Sequence, residues 1–446
     1  MRLPTFNKGV HPNDFKHFTC SLPVKSLPMP DHVLIPLQQH IGAPCTVNVE
    51  KGQEVKTGQV VGAGEAYVSS PVHSSVTGVV KDVGTFRHPL GSKVQMVYIQ
   101  RKSEEDEWEL MEPITDWQAA KVEDLNTRIK AAGIVGLGGA AFPTHVKLAP
   151  PKEKPIDAFI LNGCECEPYL TADHRAMVEQ ADRILEGMAI IMKILGVTDG
   201  YIGIENNKPD AIQVMHEAVS RGGYDFKVVS LQVKYPQGAE KMLIQSVLNR
   251  QVPTGGLPMD VGVVVNNIGT AMAVTDAVKE GKPLVERIVT VTGDGVKEPQ
   301  NVLARIGTPF IDIINLCGGL TDEAAQVFMG GPMMGMSQLD MKVPVIKATS
   351  GIVCTSDKGE AAEDAMPCIR CGTCVSACPM FLLPTRIARL SEVGQTEAAD
   401  ELGIMNCIEC GSCAFVCPSR IPLVQWIRLG KLRVGEMKRK AAQDAA

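Results

Sequence analysis

The sequence predicts a multidomain α/β protein, and three observations support that prediction. The 446 residues are more than one hydrophobic core usually supports, so about three or four domains are expected. From residue 126 to about residue 278, apolar runs of strand type alternate with segments of helical periodicity, which is typical of a sheet covered by helices. Two near-identical cysteine runs lie close to the C-terminus, and regular cysteine spacing indicates metal binding or disulfides.

Composition places the chain among soluble globular proteins, with 45% hydrophobic and 21% charged residues. The net charge of −6 is mild and gives no indication of nucleic-acid binding. No stretch approaches the ~18 uninterrupted apolar residues of a membrane span. The longest candidate, residues 184–197, is interrupted by Glu186 and Lys193 and predicts a buried helix.

Changes in pattern along the chain predict five segments. The first 35 residues or so are proline-rich and irregular, more an arm than a core, and residues 101–120 are charged and link domains. The segments are an N-terminal arm and β domain at residues 1–105, an α/β domain at 121–280, a small β-grasp domain at 285–345, a helical cysteine-rich domain at 364–430 and a basic tail at 431–446.

The N-terminal β domain is predicted from short strands that alternate with glycine turns. The stretches at residues 51–60 and 70–80 have the rhythm of the barrel-sandwich fold of biotinyl and lipoyl carriers, which they resemble. A carrier needs a lysine at the hairpin tip, whereas this chain has Tyr67, Val68 and Ser69 in that region. The domain is therefore expected to be a scaffold and not a swinging arm.

The α/β domain is predicted element by element. Residues 158–161, 200–204 and 226–233 are expected to be strands, and residues 172–195, 209–221 and 238–249 helices. Residues 287–341 return to β character, with glycine turns near residues 293 and 318, which predicts the β-grasp domain.

Each cysteine run has the spacing C-x2-C-x2-C-x3-C-P, which holds a [4Fe–4S] cluster with three thiolates and lends its fourth cysteine to the other cluster. Gly372 and Gly411 allow the tight turn that brings backbone N–H groups near the sulfurs. The spacing predicts cluster one on Cys368, Cys371, Cys374 and Cys417, and cluster two on Cys407, Cys410, Cys413 and Cys378.

Two other uses of cysteines fit these runs less well. Structural zinc needs four ligands per site and usually two C-x2-C pairs, and two complete runs with proline fit it poorly. A disulfide framework is disfavoured because no secretory signal precedes the chain and thiols persist in a reducing cytosol.

A glycine-rich loop at residues 133–147 is the second motif. Gly136, Gly138 and Gly139 let backbone approach a flat or phosphorylated ligand closely. The pattern alone is weak, because it is not the G-x-G-x-x-G that follows a strand and opens a helix. Three further motifs follow in order: NGCECEP at 162–168, YPQGAE at 235–240 and VNNIGT at 265–270.

This ordered set resembles the flavin- and NADH-binding subunit of respiratory complex I and its hydrogenase relatives. The resemblance implies that Phe142 stacks against the dinucleotide and that Lys147 lies near the ligand phosphates. It implies that glutamates border the NADH pocket, namely Glu165, Glu167 and Glu240. It implies that FMN is held by Gly136, Gly138, Gly139, Asn162, Asn266, Asn267 and Thr270.

Three positions depart from that family's pattern. Leu137 replaces an arginine, Cys164 an aspartate and Ala239 the first glutamate of the "GEE" motif. The FMN contacts are therefore retained better than the NADH contacts. The cofactor set is chemically coherent, because NADH delivers two electrons as a hydride, a cluster accepts one, and a flavin connects the two.

Across nearly its whole length the chain resembles the RnfC family, whose members belong to the Rnf complex, a membrane-bound ferredoxin:NAD oxidoreductase that pumps Na⁺ or H⁺. The openings at residues 6–16 and 36–45 share that resemblance. It implies FMN, NAD(H), two [4Fe–4S] clusters, membrane subunits and a ferredoxin-linked subunit as partners, and a cytoplasmic position on the inner face of the cell membrane. The alternatives are a soluble flavin/iron–sulfur cobalamin reductase and an electron-carrying subunit without a dinucleotide site.

Overall fold

The computed structural model describes residues 3–102, 105–356 and 365–444. Within them, 3-10 turns form at Lys16–Phe18, Pro258–Val261 and Ile404–Asn406, and a π-helical turn at Asp276–Glu280. The strands are β1 (Val24–Ser26), β2 (His32–Pro36), β3 (Thr46–Val47), β4 (Glu54–Val55), β5 (Val60–Ala63), β6 (Val72–His73), β7 (Gly78–Arg87), β8 (Lys93–Arg101), β9 (Ala158–Asn162), β10 (Asp199–Glu205), β11 (Phe226–Leu231), β12 (Val263–Asn267), β13 (Glu286–Thr292), β14 (Gln300–Arg305), β15 (Ala324–Met329), β16 (Met336–Ser337) and β17 (Gly351–Ser356). The α-helices are α1 (Val122–Ala131), α2 (Thr144–Lys147), α3 (Ala172–Glu179), α4 (Ala181–Leu195), α5 (Pro209–Gly222), α6 (Glu240–Leu248), α7 (Ile268–Thr275), α8 (Phe310–Leu316), α9 (Thr373–Ala377), α10 (Pro384–Glu392), α11 (Thr396–Glu401), α12 (Ser412–Phe415) and α13 (Leu423–Asp444).

Two small antiparallel sheets form the N-terminal domain, with the orders β2-β8-β7-β4 and β3-β5-β6. Side chains alternate across each strand, so Val33 and Ile35 of β2 point inward and are fully buried with Val61 of β5 and Val97 of β8. Because these residues belong to both sheets, the sheets share one apolar core. Tyr67, near the predicted hairpin tip, is 64% exposed.

The N-terminal arm is more than an irregular segment, which corrects the expectation from sequence. Phe6 and Val10 are buried, and the Lys16 side chain is 5% exposed. Strand β1 pairs parallel with β14 at the edge of a sheet in a different domain. The arm's partners are far away in the chain, so no local pattern could identify them.

The α/β domain contains a parallel sheet with the order β11-β10-β9-β12. Strand β9 lies beside both β10 and β12, and the last residue of β9, Asn162, pairs in register with the last residue of β12, Asn267. The predicted helix 172–195 is two helices, α3 and α4, which meet at Gln180. The carboxyl edge of such a sheet is where ligands usually bind.

The β-grasp sheet has six strands in the order β1-β14-β13-β17-β15-β16. Its central strand β17 lies beyond residue 345, where the sequence prediction ended the domain. Strand β17 begins with four consecutive buried residues, Gly351 to Cys354, so its sequence lacks the alternation of apolar and polar residues that predicts a half-buried strand.

The C-terminal domain consists of α9 to α13 around the two cysteine runs. Helix α13 passes through residues 430 and 431, so the predicted basic tail is, as far as residue 444, the C-terminal part of one helix. Val434 is fully buried on this helix, which packs against α10, and that apolar contact continues the helix past the predicted boundary. In the parts of the chain that the structure describes, no helix has the length and apolarity needed to cross a membrane.

Candidate functional site

The glycine loop lies between α1 and α2 and is fastened at two points. The Gly136 N–H donates to the Phe142 carbonyl oxygen at 2.9 Å, which closes the loop. The Leu137 N–H donates to Thr270 Oγ1 at 3.0 Å, which ties the loop to the first turn of α7. The Thr270 side chain is fully buried, so its hydroxyl serves the loop and not an open surface.

The glycines of this loop differ in what surrounds them. A Cβ atom at Gly138 would lie 2.8 Å from Asn267 Nδ2, which is closer than real contacts allow. At Gly139 no atom lies within 4 Å of the same point, and at Gly136 the nearest is 3.8 Å away. Gly138 therefore permits close packing on Asn267, whereas the backbone at Gly139 is open to a ligand.

Two asparagines end adjacent strands at the carboxyl edge of the parallel sheet. Asn162 Nδ2 donates to the Gly238 carbonyl oxygen at 2.8 Å. Asn267 Oδ1 accepts the Gly269 N–H at 2.9 Å and so caps α7, while its Nδ2 donates to Asp173 Oδ2 at 2.6 Å. The Asn162–Gly238 bond joins the 162–168 and 235–240 motifs, and the pairing of β9 with β12 places the 265–270 motif at the same edge of the sheet.

Asn266 differs from its neighbour because its amide is not satisfied. The residue is 5% exposed, and Nδ2 has no hydrogen-bond partner among the residues that the structure describes. Buried polar groups without partners are rare in folded proteins and require an explanation. A ligand that accepts this hydrogen bond provides one, so the residues present fit a bound flavin.

The two glutamates of the ECE segment both bind backbone amides. Glu165 accepts the N–H groups of Asp173 at 2.7 Å and His174 at 3.1 Å, and so caps α3. Its own φ of 45° is a sparsely populated value that clusters at functional sites. Glu167 turns toward the β-grasp domain, where its Oε1 accepts the Met333 N–H at 2.7 Å.

Two other predicted residues meet on the rim of the site. Lys147 Nζ lies 2.5 Å from Glu240 Oε1, and both side chains are partly exposed. Lys147 ends the short helix α2 after the glycine loop, and Glu240 begins α6 after the 235–240 motif. The pair therefore connects two motifs far apart in the sequence.

Two buried lysines beside this segment were not identified from the sequence. Lys208 Nζ donates to the Cys164 carbonyl oxygen at 2.6 Å, and Lys16 Nζ donates to the Leu170 carbonyl oxygen at 2.5 Å. Burial lowers the pKa of Lys16, because the charged form is desolvated. The two ammonium groups hold the 164–170 segment by its carbonyl oxygens. A single lysine in the sequence does not indicate such a role, because most lysines are exposed.

Behind the loop lies a third charged group that the sequence did not indicate, Arg287 of β13. Its Nη2 donates to the carbonyl oxygen of Leu137 at 3.3 Å. Leu137 is the residue that replaces the arginine of the related family. Burial lowers the pKa of Arg287 to about 10, and Asp173 opposes that shift. Burial also raises the pKa of Asp173, to about 7, with the Glu165 carboxylate as a second cause.

A cavity in the C-terminal domain is lined by sulfur. Burial raises the pKa of Cys407 to about 11 and also raises that of Cys413, and neighbouring thiols add to both shifts. Among the described residues, no three His, Cys, Asp or Glu side chains converge closely enough to hold a single metal ion. Four thiols line this cavity together: Cys378, Cys407, Cys410 and Cys413. They are the four predicted ligands of cluster two, so the residues present fit a bound cluster.

The predicted ligands of cluster one lie nearer the surface. Cys368 and Cys371 are exposed, and a hydrogen bond from Thr373 Oγ1 at 3.2 Å lowers the pKa of the Cys371 thiol. Cys374 is buried, and Cys417 packs against the same apolar core. The set is compatible with a cluster close to solvent.

The two cysteine loops have the same backbone geometry. The Arg370 N–H donates to Cys368 Sγ at 3.4 Å, and the Glu409 N–H donates to Cys407 Sγ at 3.4 Å. N–H groups directed at cluster sulfurs are a means of tuning reduction potential. The positive φ values that produce this turn are 59° at Arg370, 75° at Gly372, 55° at Glu409 and 82° at Gly411.

A small buried core joins the two sites. Cys410, a predicted ligand of cluster two, packs with Tyr235, Val10 and Ala377, and Cys166 lies against the same group. Tyr235 begins the 235–240 motif, and Val10 belongs to the N-terminal arm. One buried core therefore includes side chains of both the 235–240 motif and the second cysteine motif.

Comparison with protein-family models agrees with the predicted fold class and cofactors. The predicted barrel sandwich, flavin domain, β-grasp domain and two-cluster domain are confirmed. The matches are the RnfC barrel sandwich hybrid domain at residues 4–104, the Nuo51 FMN-binding domain at 129–276, the SLBB domain at 288–337 and the 4Fe-4S dicluster domain at 367–421.

Curated relatives match over nearly the full chain. The C subunit of the proton-translocating ferredoxin:NAD(+) oxidoreductase complex of Clostridium ljungdahlii is 48% identical, over 96% of this chain and 93% of the relative. The C subunit of the Na(+)-translocating ferredoxin:NAD(+) oxidoreductase complex of Acetobacterium woodii is 45% identical, over 98% of both chains. The C subunit of the ion-translocating oxidoreductase complex of Rhodobacter capsulatus is 41% identical, over 98% of this chain and 84% of the relative.

A solved structure shares the fold. An NAD+-reducing [NiFe]-hydrogenase in the H2-reduced state aligns with a TM-score of 0.50 at 16% identity, over 73% of this chain and 65% of that chain. Identity this low supports the fold alone. With relatives at 41–48% identity over almost all of its length, this chain belongs to the RnfC family, the C subunits of ion-translocating ferredoxin:NAD+ oxidoreductase complexes.

Proposed function

We propose that this chain is a peripheral electron-transfer subunit of a membrane-bound ferredoxin:NAD oxidoreductase. It exchanges a hydride between NAD(H) and FMN, and passes single electrons through two [4Fe–4S] clusters to or from the membrane subunits. The observation that carries the proposal is the buried core in which Tyr235, at the flavin edge, packs against Cys410 of cluster two.

FMN, when bound, accepts two electrons together and releases them singly. The chain's own residues hold it and shape its site. Asn266 Nδ2 can donate a hydrogen bond that no described residue accepts, and the open backbone at Gly139 admits the ligand. Thr270 and Asn267 make their hydrogen bonds to the protein. Thr270 accepts the Leu137 N–H and holds the glycine loop, and Asn267 caps α7.

The dinucleotide is expected on the side of the loop that carries Phe142 and the Lys147–Glu240 pair. This partly exposed pair places an ammonium group and a carboxylate on the rim of the site. The ammonium group suits the phosphates of a dinucleotide, and the carboxylate suits its ribose hydroxyls. Leu137, Cys164 and Ala239 lack the charges of the related family's pocket, so fewer side chains are available to discriminate between dinucleotides.

We expect cluster two to lie between the flavin and cluster one on the electron route, in whichever direction the electrons run. Cys410, a predicted ligand of cluster two, packs with Tyr235 of the 235–240 motif, whereas two predicted ligands of cluster one, Cys368 and Cys371, are exposed. Cysteine lending between the two motifs keeps the clusters close to one another.

Large apolar side chains are exposed within and just after the first cysteine motif. Ile369 is 68% exposed and Phe381 61% exposed, and Lys8 Nζ lies 4.2 Å from the centre of the Phe381 ring. Exposed apolar side chains close in sequence to two exposed predicted ligands of cluster one suit contact with a partner protein. We expect a membrane subunit or a ferredoxin-linked subunit to dock here, on the cytoplasmic, inner face of the cell membrane, where NAD(H) is available.

The test is an anaerobic NADH titration of the iron–sulfur-reconstituted chain with FMN. Bleaching of the flavin absorption, followed by EPR signals of reduced clusters, is the expected result. Flavin that stays oxidised with NADH while dithionite reduces the clusters would favour an electron-carrying subunit without a dinucleotide site. A chain that does not associate with membranes in the presence of the membrane subunits would favour the soluble cobalamin reductase.

A further inference from the structure

The Glu167 side chain binds the β-grasp domain, whereas the family resemblance implied that it borders the NADH pocket of the α/β domain. Its Oε1 accepts two backbone amides of the β-grasp domain, Met333 N–H at 2.7 Å and Met334 N–H at 2.9 Å. Both belong to the 330–335 loop between β15 and β16. Burial raises the pKa of Glu167, and the two amide donors oppose that shift. The carboxylate is thus occupied within a domain interface.

The contact between Glu167 and this loop leaves no spare volume. A Cβ atom at Gly331 would overlap the Glu167 side chain at Cγ, Cδ and Oε1. The φ of Gly331 lies outside the left-handed region, so glycine is needed there for close approach and not for backbone conformation.

The opposite side of the same loop rests on the cluster-two motif. A Cβ atom at Gly411, which follows Cys410, would overlap the Met333 carbonyl group. Arg428 of α13 adds a second hold, because its Nη2 donates to the Met334 carbonyl oxygen at 3.0 Å. The 330–335 loop is therefore clamped between the flavin-side segment and the cluster-two motif.

A continuous chain of contacts runs beside this loop. Asn162 binds the Gly238 carbonyl, and the Gly238 N–H donates to Cys166 Sγ at 3.2 Å. Cys166 and Tyr235 pack with Cys410. The Tyr235 hydroxyl is buried near Glu167, and within the described part of the chain it makes no hydrogen bond of normal geometry.

We propose that Glu167 is a positioning residue that fixes the separation between the flavin edge and cluster two through the 330–335 loop, and does not contact the dinucleotide. The inference rests on the proposed function, because it concerns the transfer of one electron from the reduced flavin to the oxidised cluster. The rate of such a transfer falls steeply with the gap between the two groups, so a shift of a fraction of an ångström in the loop changes it.

The decisive variant is Gly331→Ala in the full chain, loaded with FMN and both clusters. The added methyl group pushes the loop away from Glu167. Unchanged FMN stoichiometry, unchanged flavin bleaching by NADH and unchanged dithionite-reduced EPR spectra are expected. Cluster reduction after flavin bleaching should be slower by a few-fold, because the new Cβ would overlap Glu167 Cγ and the loop must move away to relieve that overlap. Gly435→Ala, where no atom lies within 4 Å of the new methyl, is the control.

Glu167 itself gives the second test. Glu167→Gln keeps one acceptor oxygen for the 330–335 loop and should transfer electrons nearly as the wild type, whereas Glu167→Ala should reproduce the defect of Gly331→Ala. A raised KM for NADH or slowed flavin bleaching in Glu167→Ala, with cluster reduction keeping pace, would make Glu167 a dinucleotide contact and overturn the inference. Wild-type cluster reduction in both Gly331→Ala and Glu167→Ala would overturn it too.

The inference and the proposed function can fail separately. If NADH does not reduce the wild-type flavin, the proposed function fails, and the bound FMN can then be reduced by light in the presence of EDTA. Cluster reduction after the light pulse compares the same variants without any dinucleotide. Equal rates in wild type and Gly331→Ala under these conditions would refute the spacing role alone.

Discussion

Replacing Thr270 by valine tests how the glycine loop is held. Valine keeps the shape of threonine but removes the hydroxyl that accepts the Leu137 N–H at 3.0 Å and lies 3.3 Å from the Val135 carbonyl oxygen. Thr270 is fully buried, so no water replaces the lost acceptor. The alternative, implied by the family resemblance, is that this hydroxyl binds FMN directly.

The expected magnitude follows from the unsatisfied amide. A buried donor left without a partner costs about 1–3 kcal/mol. A loss of ~2 kcal/mol lowers the unfolding transition of a domain of this size by roughly 4–8 °C. Because the hydroxyl holds the loop even without ligand, this loss should occur in the FMN-free chain. FMN affinity should fall by roughly tenfold, the equivalent of ~1.4 kcal/mol.

The assay is thermal unfolding of the FMN-free and FMN-loaded chains, followed by circular dichroism, with FMN binding measured by fluorescence quenching. Thr270→Ser keeps the hydroxyl and loses one methyl group, about 0.8 kcal/mol, and is the matched control. If Thr270→Val loses FMN affinity but its FMN-free form unfolds like the wild type, the hydroxyl is a ligand contact and the reasoning from the loop is wrong.

Three further outcomes are expected. Cys378→Ala should remove the EPR signal of the cluster whose other ligands are in the second motif, since ligands are exchanged between motifs; loss of only the first-motif cluster would contradict the assignment. Gly138→Val should abolish FMN binding with both clusters retained, because even a Cβ lies 2.8 Å from Asn267 Nδ2; stoichiometric FMN in that variant would refute the packing argument. Asp173 has a folded-state pKa raised from 3.8 to about 7, so the free energy of unfolding should fall as pH rises between these values, and denaturant titrations should show a weaker fall in Asp173→Asn; an equal pH dependence in both chains would exclude Asp173 as its source.

The features of this protein that are predictable from its amino-acid sequence are those whose chemistry is local. Eight cysteines at fixed spacing specify two clusters, because the ligands of a cubane must come from a tight turn whatever surrounds it. Strand and helix periodicity also located the α/β domain. The order of four motifs between residues 133 and 270 indicated a flavin site through its resemblance to a known family. Two of these motifs lie at the ends of the paired strands β9 and β12, and so at the edge of a parallel sheet where ligands usually bind.

The way in which the domains are joined required the three-dimensional fold. The arm strand β1, the central strand β17 and the buried residues Lys16 and Arg287 have partners distant in the chain, so no local pattern signals them. Glu167 shows the reason most clearly. Its sequence context matches a nucleotide pocket, but the direction of a side chain depends on which backbone amides surround it, and here they come from a domain that lies more than a hundred residues farther along the chain.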